Sequence, residues 1–393
     1  MKFDSTTYTF TDKGNAGKIG LIVGMIGLAV SLVGLFVDAG QFYFSWLVAF
    51  AFWISIGLGG LFMTMVHHLT SAVWSVAVRR IGEAVMNALP WMTLLAIPLL
   101  FGLDKLFIWT DTDHVAADAI LSMKVGYLNV PFFIVRTVIY FAVWALLAFL
   151  LKRNSLAQDK EWTEERARKF VVISGPGMIA FALTATFFCF DWIMSLQPLW
   201  YSTIYGLWFF AGGITTVMAF YAIVVLRLRS NNVLSETITV EHQHDIGKLL
   251  FAFLVFWGYM HLSQYLLIWY ANLPEETAFY KDRWGAGWTT MSWILMIGGF
   301  VMPFILLMGR SAKRSDASLM TFAVWMFVVH WVDLYWNIMP VFHTETVVLS
   351  WMDLTTLVGM GGIFVWLFWM KFTNHPAVPI TDPKLDASIK MVN

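Results

Sequence analysis

The chain has 393 residues, 59% of them hydrophobic and 13% charged, with a mean hydropathy of +0.70 and zero formal net charge. Soluble domains carry about 25% charged residues, so lipid is the solvent this composition suits. Balanced charge gives no reason to expect nucleic acid, and a lone cysteine, Cys189, excludes an intrachain disulfide, an iron–sulfur cluster and a cysteine-built zinc site.

Apolar runs long enough to cross ~30 Å of hydrocarbon recur at 18–37, 42–67, 84–103, 128–151, 170–195, 203–226, 248–271, 286–308, 319–339 and 348–370. They predict an all-α integral membrane protein of about ten transmembrane helices, forming one membrane domain over 1–393. MKFDSTTYTFTDKGNAGK lacks the basic start and short apolar core of a cleavable signal, so the first span is expected to stay. Of the 25 Lys and Arg, 20 fall in the tails and the loops that share their side, which predicts a multi-pass protein with cytoplasmic termini. The 21 Trp and 12 Tyr suit interfacial anchoring as well as core packing.

In chain order, the first polar feature is VHHLTSAVWSVAVRRIGE, at the cytoplasmic end of span two. His67 and His68 are adjacent, so they point about 100° apart on a helix and cannot share a ligand site alone. His68 and Arg79 would align if the helix continued, and Arg79 and Glu83 form an i, i+4 pair expected to be a solvated surface or interfacial contact. The block reads either as a helix end with a basic cap or as a proton entrance.

Arg136 lies in the outer half of span four and needs an acid, with Asp191, Asp333 and Asp353 in the outer thirds of their spans as candidates. Three polar stripes follow helical spacing: Thr184, Asp191 and Ser195 on span five, His261, Gln264 and Tyr265 on span seven, and His330, Asp333 and Asn337 on span nine. One stripe alone is ordinary interhelical hydrogen bonding; three at overlapping depth suit a hydrated or proton-conducting interior. Haem is disfavoured. Only His330 and His343 stand thirteen residues apart, and Pro340 breaks the helix between them.

An internal echo divides the chain. DWIMSLQP and DLYWNIMP each place an aspartate, Asp191 or Asp333, seven residues before a proline, four spans apart. Spans four and eight end alike, in FLLKRNS and ILLMGRSAKRS. Parallel repeats of four spans would give bundles over 42–195 and 203–340, flanked by spans one and ten, with a cytoplasmic tail over 372–393. That tail, with HPAVPITDPK, reads as an extended surface arm.

HHLTSAVWSVAVRRIGEA, DWIMSLQPLWYSTIYGLWFFAGG, HQHDIGKLLFAFLVFWGYMHLSQYLLIWYANLPEET and the closing pair of spans resemble the polysulfide-reductase and nitrite-reductase membrane-subunit family. Within it they are most similar to the second, smaller quinone-binding-type (F) membrane subunit of bacterial alternative complex III. The resemblance covers nearly the whole chain. It implies two four-helix bundles with no redox cofactor held covalently or by metal ligation, in a complex that oxidises menaquinol or ubiquinol. The implied partners are a larger homologous membrane subunit, an iron–sulfur subunit, haem c subunits, lipids and a terminal oxidase. The resemblance also implies that the larger sibling holds the quinol, while the smaller subunit offers a proton route. One departure bears on quinone binding. The sibling's pattern has a histidine after Gly-x-Gly in span two, whereas GLGGLFMT places Gly60 there, after Gly57 and Gly59.

Three functions follow. The first is a supporting and proton-conducting subunit of a quinol:cytochrome c oxidoreductase. Its path would enter at His67, His68 and Glu83, pass His261 and His330, and leave by Asp333, Asp191, Arg136 and Asp353. Histidine suits such a route because its ordinary pKa of about 6.5 allows exchange near neutral pH. The second is a subunit that itself binds and oxidises quinol, with Arg136 and Asp191 as headgroup partners. The third is a secondary transporter, disfavoured because Pro176 and Pro303 are isolated rather than forming a matched broken-helix pair.

Overall fold

A computed structural model describes residues 1–285 and 287–392. Among these, ten helical stretches are long and apolar enough to cross a membrane. We number them α1 (Ala16–Val37), α2 (Ala39–Thr70), α3 (Arg79–Leu100), α4 (Val130–Lys160), α5 (Glu164–Trp192), α6 (Tyr205–Ser230), α7 (Val240–Ala271), α8 (Trp288–Met308), α9 (Asp316–Ile338) and α10 (Trp351–Thr373). The only sheet among the described residues is a hairpin of β1 (Lys2–Asp4) and β2 (Thr9–Asp12). The protein is an all-α, multi-pass membrane protein.

Burial separates the helices into two kinds. The apolar stretches of α2 and α6 are 94% and 89% buried, so these two form the centre. Around them, α2, α3, α4 and α5 contact one another in a closed cycle, and α6, α7, α8 and α9 do the same. The cycles meet where α2 packs on α6 and α9 and where α5 packs on α6. Outermost, α1 packs chiefly on α10, which leans on α2 and α3. That contact is backbone to backbone: a Cβ at Gly362 would lie 2.4 Å from the Gly24 nitrogen. Small residues allow such approach where lipid supplies no hydrophobic drive between helices.

Helix ends follow local chemistry. Asp38 accepts from the Gln41 N–H to start α2, and Ser71 (φ 50°) ends it in the left-handed region. The helix therefore does not run on to Arg79. The chain reverses over residues 71–78, so His68 and Arg79 meet through a turn and not along one helix. Span three begins at Arg79, earlier than its apolar run suggests, because the polar residues of its first turn are buried by other segments.

Two spans are irregular. In α3, a tighter turn at Thr93–Ala96 follows Pro90. In α8, Ile294–Val301 is π-helical. Pro303 has no N–H for the Gly298 carbonyl five residues back, and the Trp325 indole donates to that carbonyl at 2.8 Å instead. The third and eighth spans do not occupy matching places four spans apart.

The tail is not an extended surface arm. Ala377 and Val378 are buried, the Ala377 N–H donates to the Tyr8 carbonyl, and Thr381, Asp382, Lys384 and Ser388 all bond the helix ends. Both termini lie together on one side of the helices, called here the terminal side.

Candidate functional site

Four polar clusters occupy the interior or its edges. Two of them lie near the far side, opposite the termini, and consist of carboxylates fully engaged by donors. Arg136 on α4 donates from Nε to Asp191 Oδ2 (2.8 Å) and from Nη2 to Oδ1 (3.0 Å). Its Nη1 donates to the Tyr127 carbonyl, and Tyr140 donates to Asp191 Oδ2 at 2.7 Å. The guanidinium lies 3.8 Å from the centre of the Tyr127 ring and 4.3 Å from that of Phe132. Of the three acids considered for Arg136, the structure selects Asp191. Guanidinium stays protonated in proteins, so this bidentate pair is a fixed charge arrangement.

Asp353, at the start of α10, accepts from Ser45 (2.6 Å), Gln41 (3.2 Å) and the Ser350 N–H (2.8 Å). Together with Ser350 it forms a capping box, a structural use of a carboxylate. His343 lies 2.7 Å from Gln41 Oε1 at the cluster's edge.

The third cluster is on the terminal side and overturns the expectation of a solvated pair. Arg79, Arg80 and Glu83 are buried, with 4%, 6% and 4% exposure. Arg79 lies 3.0 Å from Glu83 and donates to Asp382 (2.9 Å) and Gln158 (3.0 Å). Arg80 donates to Glu83 (2.6 Å), Ser155 (2.7 Å) and Asp159, and Ser155 donates to Glu83 in turn. The reason is tertiary: α4 supplies Ser155, Gln158 and Asp159, and the folded tail supplies Asp382.

His67 Nδ1 lies 2.5 Å from Ser75 Oγ. His68 stacks on Phe170, with ring centres 3.8 Å apart. A cleft of about 110 Å³ is lined by both histidines with Arg79, Gln158, Phe170 and Asp382, and His68 Nε2 has no partner among the described residues. A water needs roughly 10–15 Å³ of such space, so the cleft has room for several.

The fourth cluster lies between α6, α7 and α9. Asp333 Oδ2 accepts from the Trp257 indole at 2.9 Å, and Oδ1 accepts from Asn337 at 3.0 Å and lies 3.1 Å from His261 Nε2. The Trp208 indole lies 2.6 Å from the same His261 nitrogen. Tyr205 donates to Asn337 at 3.0 Å, extending the network toward the far side. One turn the other way, His330 Nε2 lies 2.9 Å from Ser55 Oγ. Ser55 donates its single proton to the Phe52 carbonyl, so His330 is the donor in that contact, and its Nδ1 is left as a base without a partner among the described residues. Gly212 makes room for this ring, since a Cβ there would lie 2.6 Å from Nδ1.

The proposed path residues are therefore not one chain. His261, His330 and Asp333 come together; Arg136 and Asp191 pair apart from them; Asp353 stands alone; Glu83 is near His67 and His68. Tyr221 lines a small cavity with His67 and Arg79, but nine residues of α6 separate it from Gly212, about 14 Å of helix. Val217, Phe220, Phe52 and Phe327 are buried or packed in the core along that interval, and its only polar side chains on α6, Thr215 and Thr216, donate to carbonyls of their own helix. Of the remaining stripe residues, Thr184 accepts from Trp144 on α4, Ser195 and Gln264 accept from Trp109 and Ser202 in connecting segments, and Tyr265 packs its ring against that of Tyr280.

Several residues here escaped the sequence reading. Trp208 and Trp257 are two of many tryptophans, and nothing local marks them. Arg283, between α7 and α8, is fully buried between Phe279 and Trp336, and donates to the Trp336 and Asn337 carbonyls at the end of α9 (3.0 and 2.8 Å). Burial pushes its guanidinium down to about 10, still cationic at neutral pH. Its presence among few far-side cations was the only available signal.

Among the described residues no three His, Cys, Asp or Glu side chains gather as a metal site. Fold and clusters together define a class, a multi-pass helical membrane protein with ionisable groups buried between its helices. No protein-family model matches the chain, and no curated protein matches it.

Proposed function

We propose that this is the second membrane subunit of a quinol:cytochrome c, or quinol:electron acceptor, oxidoreductase of the alternative complex III type, supporting assembly and moving protons coupled to quinol oxidation. In this reading the cycles α2–α5 and α6–α9 are parallel repeats of a four-helix bundle, with α1 and α10 peripheral. Both termini face the cytoplasm of a bacterium, and the chain packs against the larger membrane subunit, beside the iron–sulfur and haem c subunits. Menaquinone or ubiquinone is the species oxidised, and a terminal oxidase is the onward partner.

The observation that carries the proton role is the Asp333 cluster: a buried carboxylate flanked by one histidine at 3.1 Å and a second with an unpartnered ring nitrogen. Buried ionisable groups between membrane helices are costly and mark ion or proton routes. The cleft beside His67 and His68, with room for water, supplies an entrance, and the closely packed interval along α6 is the step that must be wetted during turnover. Arg136 and Asp191 satisfy each other, which favours a structural clamp over headgroup binding.

Affinity purification of the chain from its native membrane tests assembly. Haem c and iron–sulfur subunits with quinol-oxidising activity are expected to copurify; isolation of the chain alone from mildly solubilised membranes would contradict the reading. His330→Ala is expected to leave assembly intact and reduce proton release per quinol.

A further inference from the structure

His261 Nε2 lies 2.6 Å from the Trp208 indole nitrogen and 3.1 Å from Asp333 Oδ1. These two contacts make opposite demands. An indole N–H can only donate, so the Trp208 bond requires a lone pair on Nε2. An ionised carboxylate can only accept, so the Asp333 bond requires a proton there. One ring nitrogen cannot supply both.

We infer that Trp208 and Asp333 compete for His261 Nε2, making Trp208 the residue that keeps the His261–Asp333 contact from closing into a permanent ion pair. With Nε2 unprotonated, His261 accepts from Trp208, and Asp333 is held by Trp257 and Asn337 alone. With one proton added at Nε2, the imidazolium donates to Asp333 and the indole bond breaks. One proton on, one hydrogen bond exchanged. The cage is tight enough for small ring movements to decide the partner: the His261 ring centre is 4.3 Å from those of both Trp208 and Trp257, in edge contacts. The other charged or titratable groups of the cluster are His330 and Tyr205, with Arg283 at the end of α9. The inference rests on the proton-transfer reading for its purpose only, because its test uses no turnover assay.

The test is nitrogen NMR of the full chain in lipid bilayers with labelled histidine and tryptophan, His261 being assigned by its loss in His261→Gln. In the wild type the shorter Trp208 contact is expected to keep a lone pair on Nε2. Trp208→Phe should raise the Nε2-protonated fraction at least about threefold. Trp257→Phe removes an indole of equal size from the same cage; it frees Asp333 of one donor but leaves the Trp208 bond on Nε2 in place, so any rise should be clearly smaller than in Trp208→Phe. Equal responses to the two substitutions, or none to Trp208→Phe, would overturn the inference. Should the variants not fold, acid titration of the wild type decides: the Trp208 indole proton must move upfield as Nε2 gains its proton, and an indole signal that stays put overturns it.

Discussion

Asp191 and Asp333 stand at equivalent points of two similar stretches, each seven residues before a proline, yet they are put to different uses. Asp191 meets a guanidinium in a bidentate pair reinforced by Tyr140, with each strong donor and acceptor matched. Asp333 meets an imidazole whose nitrogen is also approached by an indole. The first arrangement can only hold charge, because arginine does not release its proton. In the proposed reading the second loads and unloads one, because an imidazole exchanges its proton where a guanidinium does not. The basic partners also come from different places: Arg136 sits one span before its aspartate, His261 two spans before. Two similarly spaced aspartates thus differ in chemistry through the neighbour each one meets.

The largest effect should come from breaking the locked pair. Arg136→Ala leaves Asp191 buried and uncompensated, and a loss of about 3–5 kcal/mol is expected. Thermal melting in detergent should show it, with Arg136→Lys also impaired because a point charge cannot replace the bidentate fork. His261→Gln should cost far less in the same assay. Equal losses in the two variants would erase the distinction between clamp and exchanger.

A smaller effect is expected on the terminal side. Asp382→Ala removes a tail contact to buried Arg79, at a cost of roughly 1–3 kcal/mol, and should expose the tail to protease. A tail equally resistant in the variant would mean that the ion pair does not hold it. Next, Asp353→Ala loses its part of the capping box at α10 and should cost about 1 kcal/mol without altering proton release. A large loss of proton release would move Asp353 out of its structural role.

The smallest effect is one of pH. Asp118 caps the short helix Ala119–Lys124, and the Leu121 and Ile120 N–H groups it accepts hold its carboxyl below the usual range. The folded-state value is depressed, so the cap's contribution is present above the unfolded-state pKa and is lost as pH falls through the lower, folded one. Hydrogen exchange at Ile120 and Leu121 should therefore stay slow at pH 4 and quicken only in stronger acid. Early quickening would indicate that the cap is not formed.

What was legible in the sequence was what repeats or is costly. Ten apolar runs set the helices, and Pro340 correctly separates His330 from His343, since α9 ends at Ile338. The need of Arg136 for an acid could be read, but not which one, because three aspartates share its depth. The Arg79–Glu83 pair could be read from its spacing. Its burial could not, because Asp159 and Asp382 lie far along the chain and reach it only in the folded state. Trp208 was hidden for a related reason: an indole acquires meaning only from the nitrogen it faces.

The most direct test of the central claim is proton release per quinol oxidised by the purified complex in sealed vesicles, comparing wild type with Asp333→Asn. Asparagine keeps the size of the side chain and cannot carry the exchanged proton. The account predicts an assembled complex that still oxidises quinol but releases markedly fewer protons. An unchanged proton count in Asp333→Asn would contradict it.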